Sequence, residues 1–444
     1  MKPIYVIAMA VSLCSTKQVF AGEVFNAVET RSESRQYLNA FGEGKDSWGT
    51  LDSHDNTAGQ VLVNFHSNTD GTVTQTPYPQ SLITGLKPKG DAETLGAKGY
   101  DGYVEQVWPL QDGNVLFSTD TYPGGYSYLY KLNGKTGTVG NNAPAYDNKQ
   151  AIMNMGGRGA DHQPDIRALH HRSLLESNIK GKVSALYYGE YNVGDSDRVS
   201  LWKSTDKGDT WSKVIEWNTQ GHQTRHIHAV VQNPFNDWIY VLFGDDDNES
   251  AIVAWDGVSE PPPDNTPLQD MANYPGWKSI AGSKRVRAGD LVFTPPPNGK
   301  CVWLPDVDSL EPGENLYGQR ANYDLTGLEA TGIAPYSNGI SPILAARSNT
   351  GSIYWASYRN QNSPEQQIHV WKSVDSGLNW VLAGKVDVYT DWTAIPQDMR
   401  VHGNVMESIT KDFLSINGRD LEFVENGQKY GSTADFSSTT IYPK

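Results

Sequence analysis

Along this chain apolar residues fall at alternate positions in short runs, and Gly, Pro, Asn, Asp and Ser interrupt those runs. Alternation with a period of two puts one set of side chains on one face of an extended segment, so each run predicts a strand. The clear runs lie at positions 60–65, 104–109, 114–118, 127–132, 182–188, 199–203, 228–232, 238–243, 251–255, 291–294, 301–304, 353–357 and 368–372. No convincing stretch repeats its apolar residues at helical spacing. The spacing of the runs suggests a unit of about 55–65 residues with four strands in each, the organisation of a propeller blade. The expectation is an all-β chain folded as a single β-propeller of four-stranded blades, with about seven blades and six or eight as alternatives. Two stretches break the rhythm. The polar, Pro-rich segment 259–273, with Glu260 followed by three prolines, reads as a surface loop between the third and fourth strands of its blade. Positions 295–299 read as a tight turn between a first and a second strand. Neither has the character of a linker, so residues 22–444 are read as one domain.

One phrase occurs twice. Ser204-Thr-Asp206-Lys-Gly208-Asp-Thr210-Trp211 and Ser373-Val-Asp375-Ser-Gly377-Leu-Asn379-Trp380 share the pattern S-x-D-x-G-x-[TN]-W, and each follows a strand-like run ending in Trp-Lys. An Asp in a tight turn accepts hydrogen bonds from backbone N–H groups just beyond it, Gly supplies a positive φ, and Trp caps the hairpin with an apolar face. Asn133-Gly134 falls where a worn third copy would lie. The phrase resembles the Asp-box, the BNR-repeat signature of sialidase-like β-propellers. That resemblance implies that each box is a turn between the third and fourth strands. The loops entering each blade and the turns between second and third strands then open on the opposite face, where a ligand is expected.

Composition narrows the setting. Lys2, an apolar core over positions 4–13 and Val19-Phe20-Ala21 read as a signal peptide over residues 1–21, cleaved before Gly22. The apolar stretch is too short to anchor the chain in a bilayer, so an exported protein, periplasmic or extracellular and without a membrane anchor, is expected. Cleavage would remove Cys14 and leave Cys301 as the single thiol, which excludes a disulfide scaffold. A net charge of −15 argues against nucleic acid as a partner. Forty-three Gly, 23 Tyr and 13 Trp suit an all-β fold with aromatic loops. A monomer is expected.

On the face opposite the boxes, the densest chemistry is Gly221-His222-Gln223-Thr224-Arg225-His226-Ile227-His228. His226 and His228, two apart on a strand, project to the same side. The loop at 244–249 contains Asp245, Asp246, Asp247 and Glu249 and opens on the same face. Other loops expected there bring His162, Arg285, Arg287, Arg400, His402, Glu190, Tyr191, Asp306 and Asp308, with Tyr188 or Tyr187 at a strand end. The bland alternative is that the His-x-His pair is a hydrogen-bonding element of the strand and the acidic run a solvated loop. His170, His171 and His369 read as packing residues.

Three chemistries fit this set. β-Elimination on a uronate needs a cation against the carboxylate, a base for the neighbouring proton and an acid for the leaving oxygen. Arg225, Arg287 or Arg400 would neutralise; His226, His228 or His162 would act as base; Tyr188 or Tyr191 would act as acid; His402, Glu190 and Asp246 would bind substrate. The composition resembles that of ulvan-lyase propellers. The spacing Gln223-x-x-His226-x-His228 resembles the metal-ligand set of oligogalacturonate lyases, which implies a divalent cation, Mn or Ca, on the substrate carboxylate, with His162 or His402 as a further ligand. The expected partner is an anionic polysaccharide or oligosaccharide. A sialidase-like hydrolase would instead use Arg225, Arg287 and Arg400 with Glu190, Tyr191 and Asp246, but the Arg-Ile-Pro motif of that family is absent near the start of the chain. A non-catalytic glycan-binding propeller would repeat one motif from blade to blade, whereas here the polar loops differ.

Overall fold

A computed structural model describes residues 46–52, 60–67, 73–77, 103–120, 126–133, 138–139, 153–157, 171–177, 185–191, 198–218, 224–307, 310, 314–334, 340–347, 351–359, 367–387, 399–402, 413–416, 419–420, 423–425 and 428–430. The expected signal peptide lies outside them. Among the described residues there is no α-helix, only the 3-10 turns His171–Ser173, Leu268–Asn273 and Lys284–Val286. No described helix is long and apolar enough to cross a membrane.

The sheets are antiparallel meanders in chain order, the topology of a β-propeller. The first blade pairs Tyr103–Pro109, Val115–Asp120, Tyr126–Asn133 and Thr138–Val139, with Met153–Gly157 added against its third strand. The second is Leu174–Ser177, Ala185–Gly189, Arg198–Ser204 and Ser212–Asn218. The third is His226–Gln232, Ile239–Gly244, Ala251–Trp255 and Trp277–Ala281. The fourth is Val292–Phe293, Lys300–Trp303, Leu316–Asn322 and Glu329–Ala334. The fifth is Ile340–Arg347, Ile353–Arg359, Gln367–Ser373 and Val381–Asp387. Sheets of three strands (Asp46–Asp52, Gln60–Ser67, Val73–Pro77), three strands (Met399–His402, Phe413–Ile416, Arg419–Asp420) and two strands (Phe423–Glu425, Gln428–Tyr430) lie towards the two ends of the chain.

Five four-stranded blades therefore differ from the expected seven. The expectation divided chain length by a blade period, and the described end sheets fall short of four strands, so length overstates the count. The 259–273 insertion does lie between the third and fourth strands of its blade, and 295–299 joins a first strand to a second.

Middle strands of a blade are covered on both faces by neighbouring blades, so they read as continuous apolar runs. Ile239–Gly244 and Ala251–Trp255 are buried at every position. One core cluster joins Trp217, Phe243, Trp255 and Trp277 across the second and third blades; another runs from Tyr240 through Trp303 to Trp355 and Trp371 across the third to fifth. His369 is buried beside Trp371, as a packing residue.

Both copies of the repeated phrase turn between third and fourth strands with one hydrogen-bond pattern. Gly208 N donates to Ser204 Oγ (2.8 Å), and Thr210 N and Oγ1 donate to the two oxygens of Asp206 (2.9 and 2.6 Å). Gly377 N donates to Ser373 Oγ (2.9 Å), and Asn379 N and Nδ2 donate to Asp375 (2.9 and 2.6 Å). Positive φ falls on two successive residues in each, Lys207–Gly208 and Ser376–Gly377. Gly377 also abuts Val302 of the preceding blade, and Gly332 N of that blade donates to Leu378 O (2.7 Å). The turns are thus seams between blades.

First strands adjoin between the second and third blades and between the fourth and fifth. Arg172, just before the second blade, reaches across the inner ring. Its Nε lies 2.7 Å from Asp290 Oδ2 ahead of the fourth blade, and its Nη2 donates to Ala345 O (3.0 Å) in the fifth. Asp290 is fully buried and also accepts from Ala345 N and Leu291 N. Burial pushes its carboxyl up to about 6, although Arg172 and the two N–H groups pull the other way.

Candidate functional site

The first strand of the third blade, His226–Gln232, pairs with the second, Ile239–Gly244, so that His226 lies opposite Gly244. The register slips between Ile227 and Ala229, leaving His228 as the extra residue of a β-bulge. Bulges re-aim side chains and recur beside functional sites. The two imidazoles lie stacked, ring centres 5.3 Å apart. A Cβ on Gly244 would collide with the His228 ring, so only glycine lets the second strand pass this close.

Asp245 follows Gly244 directly, and its carboxylate bridges the Nε2 atoms of the two rings. Its Oδ2 is 2.8 Å from His226 Nε2 and its Oδ1 is 3.2 Å from His228 Nε2. These three side chains can direct one ligand atom each to a common point, their donor atoms lying within 4.8 Å of one another. His228 Nδ1 is 3.1 Å from Ala288 O. A carbonyl only accepts, so Nδ1 carries the proton, and a neutral ring then presents the Nε2 lone pair to a carboxylate. Two acceptors facing each other call for positive charge between or upon them. A proton on the ring or a cation held by all three groups meets that demand. The donor set, two imidazole nitrogens and a carboxylate oxygen, suits a divalent transition metal better than Ca, which takes oxygen ligands. Burial pushes the Asp245 carboxyl up, but hydrogen bonds and charge from His226 and His228 outweigh it and hold Asp245 far below the usual carboxylate range.

Neighbouring blades complete the surroundings. Tyr191, just past the second blade's Ala185–Gly189, stacks on His226 with ring centres 4.2 Å apart and planes inclined by 15°. Its phenol is pushed well above its ordinary range by burial, then by Asp245 and Asp306. Arg225 fans over the open edge, with guanidinium nitrogens 3.6 Å from Asp245, 3.1 Å from Asp246 and 3.7 Å from Glu249. Arg287 donates to Asp245 O and lies 3.9 Å from Asp306 Oδ2. Asp306, from beyond the fourth blade's second strand, sits 3.9 Å from His228 Nδ1 and accepts from Ser341 of the fifth blade. Four carboxylates, those of Asp245, Asp246, Glu249 and Asp306, thus meet two guanidiniums.

The structure brings together nine of the residues singled out in the sequence: Tyr191, Arg225, His226, His228, Asp245, Asp246, Glu249, Arg287 and Asp306. Tyr188 is instead buried with Trp108 at the seam of the first and second blades, ring centres 6.4 Å apart, and Tyr187 is core against Trp255. Glu190 is buried too: its carboxylate accepts from Ser200 N (2.7 Å) and Trp202 Nε1 (2.6 Å), and its backbone O from Ile227 N (2.9 Å). It braces the blade that carries Tyr191. Gln223 and His162 lie outside the described residues. Arg400 and His402 belong to the strand Met399–His402, whose side chains are likewise outside the description. Asp245 was read in the sequence as one of an acidic run. Its special place follows from register, because the residue after the one opposite His226 must end beside the histidines.

No family model and no curated protein matches the chain. Among solved structures it is similar to a chain described in a structural and mechanistic study of two prolyl endopeptidases, at 10% identity and a TM-score of 0.45, covering 95% of this chain and 50% of that one. It is also similar to a protein from Lactobacillus plantarum at 11% identity and TM-score 0.42, covering 86% and 91% of the two chains. An ulvan lyase, described as a new family of polysaccharide lyase, shares 11% identity at TM-score 0.37, with 89% and 93% covered. The chain spans about half the length of the prolyl endopeptidases it matches. These are likenesses of fold alone.

Proposed function

We propose that this chain is an exported enzyme that cleaves a uronate-containing polysaccharide or oligosaccharide by β-elimination at the His226–His228–Asp245 cluster. The supporting observation is the convergence of two imidazoles and a carboxylate, with Tyr191 and two arginines around them, on the face opposite the repeated turns. A divalent transition-metal cation such as Mn, held by His226 Nε2, His228 Nε2 and Asp245, would draw charge from a uronate carboxylate and acidify the proton beside it. The acidic surplus of the site makes such a cation a requirement for an anionic substrate, since both arginines are already engaged with carboxylates.

The chain's own residues take the remaining tasks. Arg225, partly exposed at the edge, exchanges a carboxylate partner for the substrate carboxylate and orients it. With His226 and His228 committed to Asp245, the sequence leaves His162, outside the described residues, as the candidate for the base that takes the proton next to the carboxylate. Tyr191 keeps its proton and donates it to the leaving glycosidic oxygen. The electrons of the broken C–H bond form the new C=C bond as the C–O bond breaks, leaving an unsaturated uronate. The hydrolase reading is weaker because the Glu190 carboxylate is taken up within its own blade rather than paired with Tyr191.

The test is a panel of uronate polysaccharides followed by the ultraviolet absorbance of the unsaturated product, with and without chelation, and with Asp245→Ala. Product formation that chelation and Asp245→Ala both abolish is expected. Reducing ends released without that absorbance would mark a hydrolase, and glycan retention without cleavage a binding propeller.

A further inference from the structure

We propose that Asp306 is a positioning residue of the cation site, one that fixes His228 as a ligand and strengthens its donor nitrogen without touching the cation; this rests on the cation reading above. His228 belongs to the third blade, yet everything that holds the far side of its ring comes from beyond that blade. Nδ1 faces Ala288 O at 3.1 Å and Asp306 Oδ2 at 3.9 Å. The carbonyl selects the tautomer. The carboxylate adds what a carbonyl lacks, a full negative charge behind the ring, in a place where the Asp306 side chain is only 5% exposed and screening is weak. Negative charge at Nδ1–H pushes electron density towards Nε2, the atom aimed at Asp245.

Asp306 is itself held on three sides. Ser341 of the fifth blade donates to Oδ1, Arg287 approaches Oδ2 at 3.9 Å, and the Asp306 backbone N donates to Arg287 O at 2.7 Å. The isolated bridge between Ala288 and Pro305 clamps the two segments that bear the carbonyl and the carboxylate. The His228 ligand is therefore set by a lock assembled from the third-to-fourth link, the fourth blade and the fifth.

Asp306→Asn keeps the shape and an oxygen for Ser341 but removes the charge. Mn(II) is titrated into wild type, Asp306→Asn and Ser341→Ala by calorimetry, the visible spectrum of the Co(II)-loaded proteins is recorded, and the metal-free melting temperatures are compared. Asp306→Asn is expected to weaken Mn(II) binding by about tenfold or more and to shift the Co(II) bands, with little change in metal-free melting. Ser341→Ala, which keeps the charge but frees Asp306, is expected to weaken binding less, in the same direction. Wild-type affinity and an unshifted Co(II) spectrum in both variants would overturn the proposal. So would a loss of affinity that only follows lowered melting, with the spectrum unchanged. If wild type binds neither metal, the cation reading beneath falls and the proposal with it.

Discussion

Gly244 and His228 face each other so closely that any β-carbon at Gly244 would enter the imidazole ring. Gly244→Ala must therefore move the ring or the second strand. Overpacking of this kind costs about 1–3 kcal/mol. The expected result is a lowered melting temperature together with loss of Mn(II) binding, read by thermal denaturation and calorimetry. Unchanged binding would mean that the ring is free to move, against the tight seat described for it.

A cation that binds only the folded chain stabilises it by mass action, by about 2.7 kcal/mol at a hundredfold excess over Kd. Mn(II) is expected to raise the melting temperature of wild type and to leave that of His228→Ala and Asp245→Ala unmoved. Equal shifts in all three would assign the effect to other acidic groups.

Asp290 makes stability fall with rising pH. Its folded carboxyl titrates near 6, above the ordinary 3.8, so the unfolded chain gives up this proton first. Its contribution is fully present below 3.8 and is lost as pH rises towards about 6. Asp290→Asn should flatten the pH dependence of melting across that window. Arg172→Ala, by contrast, leaves a buried carboxylate without its ion-pair partner and should cost on the order of 3 kcal/mol near neutral pH. Parallel pH profiles for wild type and Asp290→Asn would contradict this account.

The two repeated turns lie in different blades and share no partner. Asp206→Ala and Asp375→Ala each remove hydrogen bonds to a backbone N–H and a side chain, so each should cost about 1 kcal/mol. The double variant should lose the sum within about 0.5 kcal/mol. Denaturant midpoints of the three proteins decide it, and a marked excess in the double variant would reveal coupling through the ring.

Much of this architecture could be read in the chain because it is local. Alternation marks a strand wherever one face is buried, and the repeated phrase contains the donors and acceptors of its own turn. His226 and His228 were visible for the same reason, being two apart on one strand. The rest is set by pairing and packing. Asp245 stands out from Asp246 and Asp247 only once the register puts Gly244 opposite His226. Tyr188 and Tyr191 look alike in sequence, yet packing against Trp108 makes one of them core and stacking on His226 makes the other part of the site. Glu190, next to Tyr191, is claimed by Ser200 and Trp202 further along its own blade. The number of blades depends on how the ends of the chain pair, which a length and a period do not contain.

The reach of Arg172 to Ala345 spans 173 positions. A ribosome adding about 5–20 residues each second needs on the order of ten seconds or more to make that stretch. Through all of that interval the emerging chain carries the arginine without the Ala345 carbonyl, and through most of it without the buried acid Asp290. The inner ring is thus a late product of synthesis, and its slow, long-range closure is where this fold is most exposed to mispairing with another nascent chain.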